Sequence, residues 1–354
     1  MYQTRQPHDP IPLPLLVTGV AGPSGYHAFH YFQSHYPGRV IGIRQQDTWR
    51  LDGPGIVACN TEDPEALARL FQEHRFRAVL NCAGSCALKS CQLDPALAQR
   101  ANVEGAGHVA RLAREFGARL VHLSVDLVFS GDKGGGYLET DRPDPVTVYG
   151  RTMVEGEQAV LEADPGACIL RISLPMAVSF NGHAGAIDWI SSRFRKSRPA
   201  TLYYDEVRTP TYGDCLSRLC EIMLTRPFSG IYHAGGPRRL SLYEIAQVIN
   251  RVGDYDPKLL YGMPRLHAGP IPPRAGDVTM DSSKLADALG YDPFTPWPLD
   301  DRFAPTDRQW HHQRPAAEPR GPDALHELLC VNPAADVGPV IPCEPGRHYG
   351  RQSL

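Results

Sequence analysis

The stretch VTGVAGPSGYHAF, residues 17–29, constrains this chain more than any other. It links the apolar run LPLLV to a helix candidate, and Gly19, Gly22 and Gly25 stand in it as G-x-x-G-x-x-G. A dinucleotide site needs such a loop. Its turn requires a residue tolerant of positive φ, and the pyrophosphate must meet bare backbone. The following helix then offers unpaired N–H groups and the positive end of its dipole. The strand–turn–helix context makes this a cofactor loop rather than a chance triad. The second strand ends RVIGIRQQD. An NAD site usually carries an acid at that tip, about 20 residues on, for the ribose 2′-hydroxyl. Arg44 stands there instead. A guanidinium suits a 2′-phosphate, which favours NADP(H) over NAD(H). The other reading leaves Arg44 solvated and gives Asp47 the ribose.

The rest of the first half repeats the same unit. LPLLV, RVIGI, GIVAC, AVLNCA, RLVHLS and ACILRIS are short and apolar without alternation. That is the pattern of a parallel sheet covered on both faces. Helical segments lie between them, so the expected fold is α/β, a Rossmann-type doubly wound parallel sheet. After residue 175 the rhythm loosens into a smaller C-terminal mixed α/β lobe. The expected division is residues 1–175 for the NAD(P)-binding domain, interleaved with later segments, 176–299 for a substrate lobe, and 300–354 for a Pro-rich extension, docked or disordered.

Bulk features exclude several classes. A net charge of −3 with no basic run argues against a nucleic-acid partner. The N-terminal apolar run is short and broken by prolines, so no signal peptide or membrane span is expected and the chain reads as cytoplasmic. The nine cysteines contain no C-x-x-C pair. Cys82, Cys86 and Cys91 match no zinc spacing and read as reduced thiols. His311 and His312, beside Trp310, lack a third ligand at helical spacing and read as solvated. No metal is expected.

Five segments together carry a resemblance: TGVAGPSG, NCAG, LSVDLVFSG, YLETDRPDPVTVYGRTMVEGE and RTPTYGD. They resemble the extended short-chain dehydrogenases/reductases, and in pattern the dTDP-4-dehydrorhamnose reductase group, over residues 13–297. The resemblance implies NADP(H), a nucleotide-linked 4-keto sugar and a homodimer through the helices around 95–116 and 147–162. It places Ala83, in NCAG, along the cofactor. It implies a catalytic Ser or Thr, Tyr and Lys. The Tyr gives a proton to the carbonyl as hydride arrives, and the Lys lowers its pKa and holds the nicotinamide ribose.

Matched position by position, the Tyr is Tyr149, the Lys is Met153 and the hydroxyl residue is Val125. Ser124 points to the opposite face of its strand and Arg151 to another side of its helix, so neither substitutes simply. His122, Lys89 and Lys133 are the remaining candidates for a replacement. In the second lobe Asp205, Arg208 and Thr211 are the polar candidates for the sugar nucleotide. Arg208 and Arg274 suit its diphosphate, or a salt bridge between lobes. Glu139 and Asp141 belong to the loop before the Tyr helix and shape it.

The leading expectation is an NADP(H)-binding protein that reduces or binds a nucleotide-linked 4-keto sugar. The alternative is a catalytically degenerate homologue serving as a regulatory or scaffold subunit of a partner enzyme. The family offers a precedent in the regulatory β subunit of methionine adenosyltransferase. A sugar-nucleotide epimerase or dehydratase is the third reading, and the absent Lys hurts it equally.

Overall fold

Seven short parallel strands organise the protein, whose computed structural model describes residues 11–335. The strands are β1 (Leu15–Val17), β2 (Val40–Arg44), β3 (Ile56–Ala58), β4 (Ala78–Asn81), β5 (Arg119–Val125), β6 (Cys168–Ile172) and β7 (Gly230–Ala234). Their order across the sheet is β7-β6-β5-β4-β1-β2-β3. The order reverses between β1 and β4, which opens the crevice at their carboxyl ends where such sheets bind ligands. Gly19, Arg44, Ala83 and Val125 all fall at or just beyond those ends.

Strand β1 shows why the runs read as continuously apolar. Leu15, Leu16 and Val17 have no exposed surface. Leu15 and Val17 pack into one apolar cluster and Leu16 into another. The first layer includes α1 (Pro23–His35), through Phe29 and Phe32, and the second includes α2 (Pro64–His74) and α3 (Gly105–Glu115). α2 starts at a capped end, where Asp63 accepts a hydrogen bond from Ala66 N at 2.9 Å. The helix leading into α3 contains a π-helical turn at Arg100–Glu104.

The helix α4 (Val148–Ala163) covers β5 and β6, and α5 (Ala186–Arg195) opens the second lobe. Strand β7 lies beyond residue 175 in sequence yet completes the main sheet, pairing with β6 from Gly230↔Cys168 to Ala234↔Ile172. The helix α6 (Gly213–Thr225) that precedes β7 packs on α1. The second lobe holds three two-stranded pairs: Ala200–Tyr203 with Leu260–Met263, Val207–Arg208 with Leu240–Ser241, and Pro175–Met176 with Thr211–Tyr212. Its helix α7 (Leu242–Val252) begins with a capping box between Ser241 and Glu244.

The described part of the extension, residues 300–335, is docked against the second lobe. Its Trp310 ring lies under the Arg251 guanidinium at 4.0 Å, and Arg251 also grips Glu318 with two nitrogens. Leu329 O accepts from Trp297 Nε1 and Leu328 O from Tyr212 OH, both at 2.9 Å. One expectation fails here. His311 is not solvated but 1% exposed, with Nδ1 against Gln247 Nε2 at 3.1 Å. The Tyr243 ring packs on it edge to face because α7 supplies an apolar face that the sequence of the extension does not reveal. His312 is exposed. The first ten residues and those beyond 335 lie outside the described part.

Among the described residues no helix is long and apolar enough to cross a membrane. None of their His, Cys, Asp and Glu side chains form a group of three or more able to hold a metal ion. Cys82, Cys86 and Cys91 are free thiols.

Candidate functional site: a dinucleotide crevice beside a tyrosine helix

The glycine loop is built by close backbone approach. Gly19 has φ +66°, and a Cβ there would fall 2.4 Å from the carbonyl oxygen of Cys82. A Cβ on Gly25 would fall 2.2 Å from Gly19 O, while one on Gly22 would meet nothing nearer than 3.6 Å. Gly19 and Gly25 therefore serve packing, and Gly22, the N-cap of α1, leaves backbone bare toward the crevice. No side chain caps α1, and no acid lies in its first turn. Its leading N–H groups are suited to an anion. Gly25→Ala is expected to destabilise the fold by about 1–3 kcal/mol, because the loop cannot yield without moving two backbone segments. Gly22→Ala should leave the melting temperature unchanged, and thermal unfolding of the two variants distinguishes them.

The neighbouring strand end is tied to this loop. Thr18 Oγ1 donates to Asn81 Oδ1 at 2.6 Å and accepts from Cys82 N and Ala83 N at 3.0 and 2.9 Å. Asn81 Nδ2 in turn meets His122 Nδ1 at 2.9 Å. His122 is fully buried, and burial pulls its pKa down to about 4, so the ring is neutral. It supports the strands and does not face Tyr149 as a charge.

Arg44 ends β2. Its Nη1 donates to Gln45 O at 3.1 Å, while its Nε is buried without a partner. An unpartnered guanidinium nitrogen at this strand tip fits a 2′-phosphate. Asp47, the alternative, is exposed, with Thr48 Oγ1 donating to it at 3.3 Å. The glycine loop, the bare start of α1 and Arg44 together fit an NADP-type dinucleotide.

Tyr149 lies on α4, whose N-cap Thr147 accepts from Gly150 N at 2.9 Å. A Cβ on Gly150 would meet Leu127 O at 2.2 Å, so the helix start presses on the chain just past β5. Tyr149 and Met153 are both buried, in one apolar cluster with Cys91, Leu127, Val148 and Met280, and Val125 packs against it. Burial raises the Tyr149 phenol well above its usual range. Cys86, Asp126 and Cys91 push it the same way, and only Arg208 opposes them. Met153 stands four residues on, within the same apolar cluster.

None of the other candidates fills the gap. Ser124 points away from Val125, donating to Glu157 Oε1 at 2.5 Å. Arg151 and Lys89 are exposed. Lys133 Nζ is paired with Asp141 at 2.5 Å. Asp141 also accepts from Leu138 N, and Glu139 accepts from His233 N, so both acids hold the loop before α4.

Two residues that sequence reasoning passed over organise this region. Asn102, in the π-helical turn, accepts from Ser85 N at 2.7 Å and donates to Thr152 Oγ1 at 2.9 Å. It joins the loop after β4 to the tyrosine helix. Glu157 lies two helical turns past Tyr149 on the same face. It receives Arg171 Nε at 2.8 Å and Nη2 at 2.7 Å, with every partner buried. A carboxylate on the apolar stripe Tyr149–Met153–Glu157 was the signal for it.

The second-lobe arginines are brought together, and both are engaged with acids. Arg208 Nη1 pairs with Asp126 Oδ1 at 2.5 Å and its Nη2 with Glu206 Oε1 at 2.9 Å. Arg274 Nε takes the other oxygen of Glu206 at 2.7 Å and stacks over the Tyr203 ring at 4.7 Å. Asp205 instead caps Arg265, accepting from its backbone N at 2.6 Å. Thr211 is buried with an unpartnered hydroxyl.

Residues 14–299 match the sequence profile of the family described as RmlD substrate binding domain. Methionine adenosyltransferase 2 subunit beta of Rattus norvegicus is 27% identical over 297 residues, spanning 80% of this chain and 84% of that protein. A probable low-salt glycan biosynthesis reductase of Haloferax volcanii is 27% identical over 223 residues, spanning 62% and 74%. Among solved structures, dTDP-4-dehydrorhamnose reductase from Bacillus anthracis in complex with NADP shares the fold with a TM-score of 0.69. It is 21% identical, over 80% of this chain and 95% of that one.

Proposed function

The chain belongs to the RmlD substrate-binding-domain family of extended short-chain dehydrogenases/reductases, and from that premise we propose that it binds NADP(H) but has retired the family's carbonyl reduction, serving as the nucleotide-binding subunit of a partner enzyme. The observation that carries this reading is the setting of Tyr149. It is buried in an apolar cluster with Met153, against which Val125 packs, and burial raises its phenol.

The cofactor half of the crevice supports binding. The Gly19–Gly25 loop and the start of α1 would hold the pyrophosphate, and Arg44 the 2′-phosphate. NADP(H), when bound, supplies or accepts a hydride. The chain's own task in reduction would be to deliver a proton from Tyr149 and to polarise the carbonyl. Val125 has no hydroxyl for the second task, and losing one such donor costs on the order of 10²–10³ in kcat. A phenol held above its normal range is a weak acid at neutral pH, which lowers the rate further. The resemblance to a protein named as a subunit of methionine adenosyltransferase fits a role in which the bound nucleotide matters to a partner.

Two measurements test the reading. Arg44→Ala should weaken NADPH binding about 10–100-fold, the worth of a charge-assisted phosphate contact, and leave NADH binding unchanged. Fluorescence titration with both nucleotides reads this directly. Pre-bound NADPH mixed with dTDP-4-dehydrorhamnose should stay reduced in a single-turnover absorbance trace. Rapid oxidation by the native chain would sink the proposal, since it would mean that other groups have taken over from the missing pair. In the Val125→Thr, Met153→Lys variant the tyrosinate absorbance should appear at lower pH than in the native protein.

A further inference from the structure

We propose that Glu206 is a selectivity residue of the second lobe, and that by pairing with Arg208 and Arg274 it excludes nucleoside diphosphates. This stands apart from the retired reduction. A silent reductase can still bind a sugar nucleotide, and an active one can take an uncharged carbonyl.

The charge balance is local and closed. Glu206 is 1% exposed and divides its two oxygens between the two guanidiniums. Asp126, buried just past Val125, takes the other fork nitrogen of Arg208 and accepts from Ser173 Oγ at 2.7 Å. Two cations thus meet two carboxylates, with no net positive charge for a diphosphate. The adjoining cations are spent as well. Arg265 is shared between Asp205 and Asp132 and donates to Arg274 O at 3.1 Å, and Arg239 pairs with Asp277.

Geometry decides what remains. Arg208 is buried with both fork nitrogens occupied, and its unpartnered Nε is itself buried, out of reach of a ligand. Arg274 is the more accessible of the pair, but its plane is fixed over Tyr203 and its Nε is held by Glu206. A phosphate approaching Arg274 meets the Glu206 carboxylate behind it. In a site shielded from water that repulsion is screened far less than at the surface. Arginine beside an acid can be a diphosphate site or an internal salt bridge. Here the acid outcompetes the ligand, because it is covalently in place.

The test is calorimetric titration of the NADPH-loaded full chain with dTDP. The native protein should show no saturable binding up to about 1 mM. Glu206→Gln keeps the side-chain shape and removes the charge, and should gain dTDP affinity at least ~10-fold. Asp126→Asn releases Arg208 from its other partner and should gain in the same direction, which covers a Glu206 variant that does not fold. Unchanged NADPH affinity in each variant certifies the fold. Micromolar binding of dTDP by the native chain would overturn the proposal. So would a folded Glu206→Gln that remains as blind to dTDP as the native protein. Neither dTDP result bears on whether Tyr149 reduces a carbonyl: turnover of dTDP-4-dehydrorhamnose by the native chain would overturn both readings, whereas dTDP binding without turnover overturns only this one.

Discussion

Glu157→Gln is expected to lower the stability of the fold by about 3–5 kcal/mol, the cost of breaking a buried ion pair from one side. The carboxylate is the shared acceptor for Arg171 and for Ser124, and all three side chains are buried. Neutralising it strands the Arg171 charge among β5, β6 and α4, beneath the Phe129 ring at 5.3 Å and near His233. The melting temperature should fall on the order of 5–10 °C. A Glu157→Leu, Arg171→Met variant removes both charges and should regain most of the loss, because apolar replacement of a whole buried pair is often neutral. A single-variant loss under about 1 kcal/mol would show that the pair does not anchor α4 to the sheet. The readout matters for function, since the same helix carries Tyr149.

Ending the chain after residue 299 should abolish soluble, folded protein. The removed segment buries Phe303, Trp310, Leu325 and Leu329, and its Leu328 and Leu329 carbonyls satisfy Tyr212 and Trp297. At about 1.5–3 kcal/mol per large apolar side chain, four of them amount to about 6–12 kcal/mol. A domain has only about 5–15 kcal/mol in total. The loss also leaves Arg251 without Glu318 and strips the Trp310 ring from its guanidinium. Expression, solubility and circular dichroism of the truncated chain decide the matter. A soluble product melting within about 5 °C of the full chain would refute it. The dependence is notable because the family match itself stops at residue 299.

Six of the seven strands of the sheet were legible as compact apolar runs beside recognisable helices, whereas β7, with the sequence GIYHA, was read as part of the second lobe. The glycine loop was legible because glycine spacing reports backbone approach directly, and Gly19 and Gly25 do meet neighbouring backbone closely. Met153 and Val125 stood out only against a motif, since Met and Val are ordinary core residues in themselves. The charge network was not legible. Arg208 finds Asp126 across 82 positions and Arg274 finds Glu206 across 68, and no local pattern encodes such pairings. The same limit hid the role of the extension. Its Arg, Pro and His content looks solvated, yet Arg314 spends its guanidinium on Asn250, Asp254 and the Tyr255 carbonyl of the lobe. Asn102 gave no signal, because nothing in RANVE announces a π-helical turn.

The position of β7 has a consequence for how the molecule is made. Its partner β6 is synthesised first, and the whole stretch from 173 to 229 follows before β7 exists. During that interval β6 is an edge strand with an unpaired row of backbone groups, the kind of template that other chains can join. The extension that seals Trp297 and Tyr212 arrives later still. Synthesis therefore passes through two open intervals in turn, first the edge of β6 and then the surface of Tyr212 and Trp297. Such a chain would place its heaviest demand on chaperones before residue 230 is made, and its longest wait for closure at the very end.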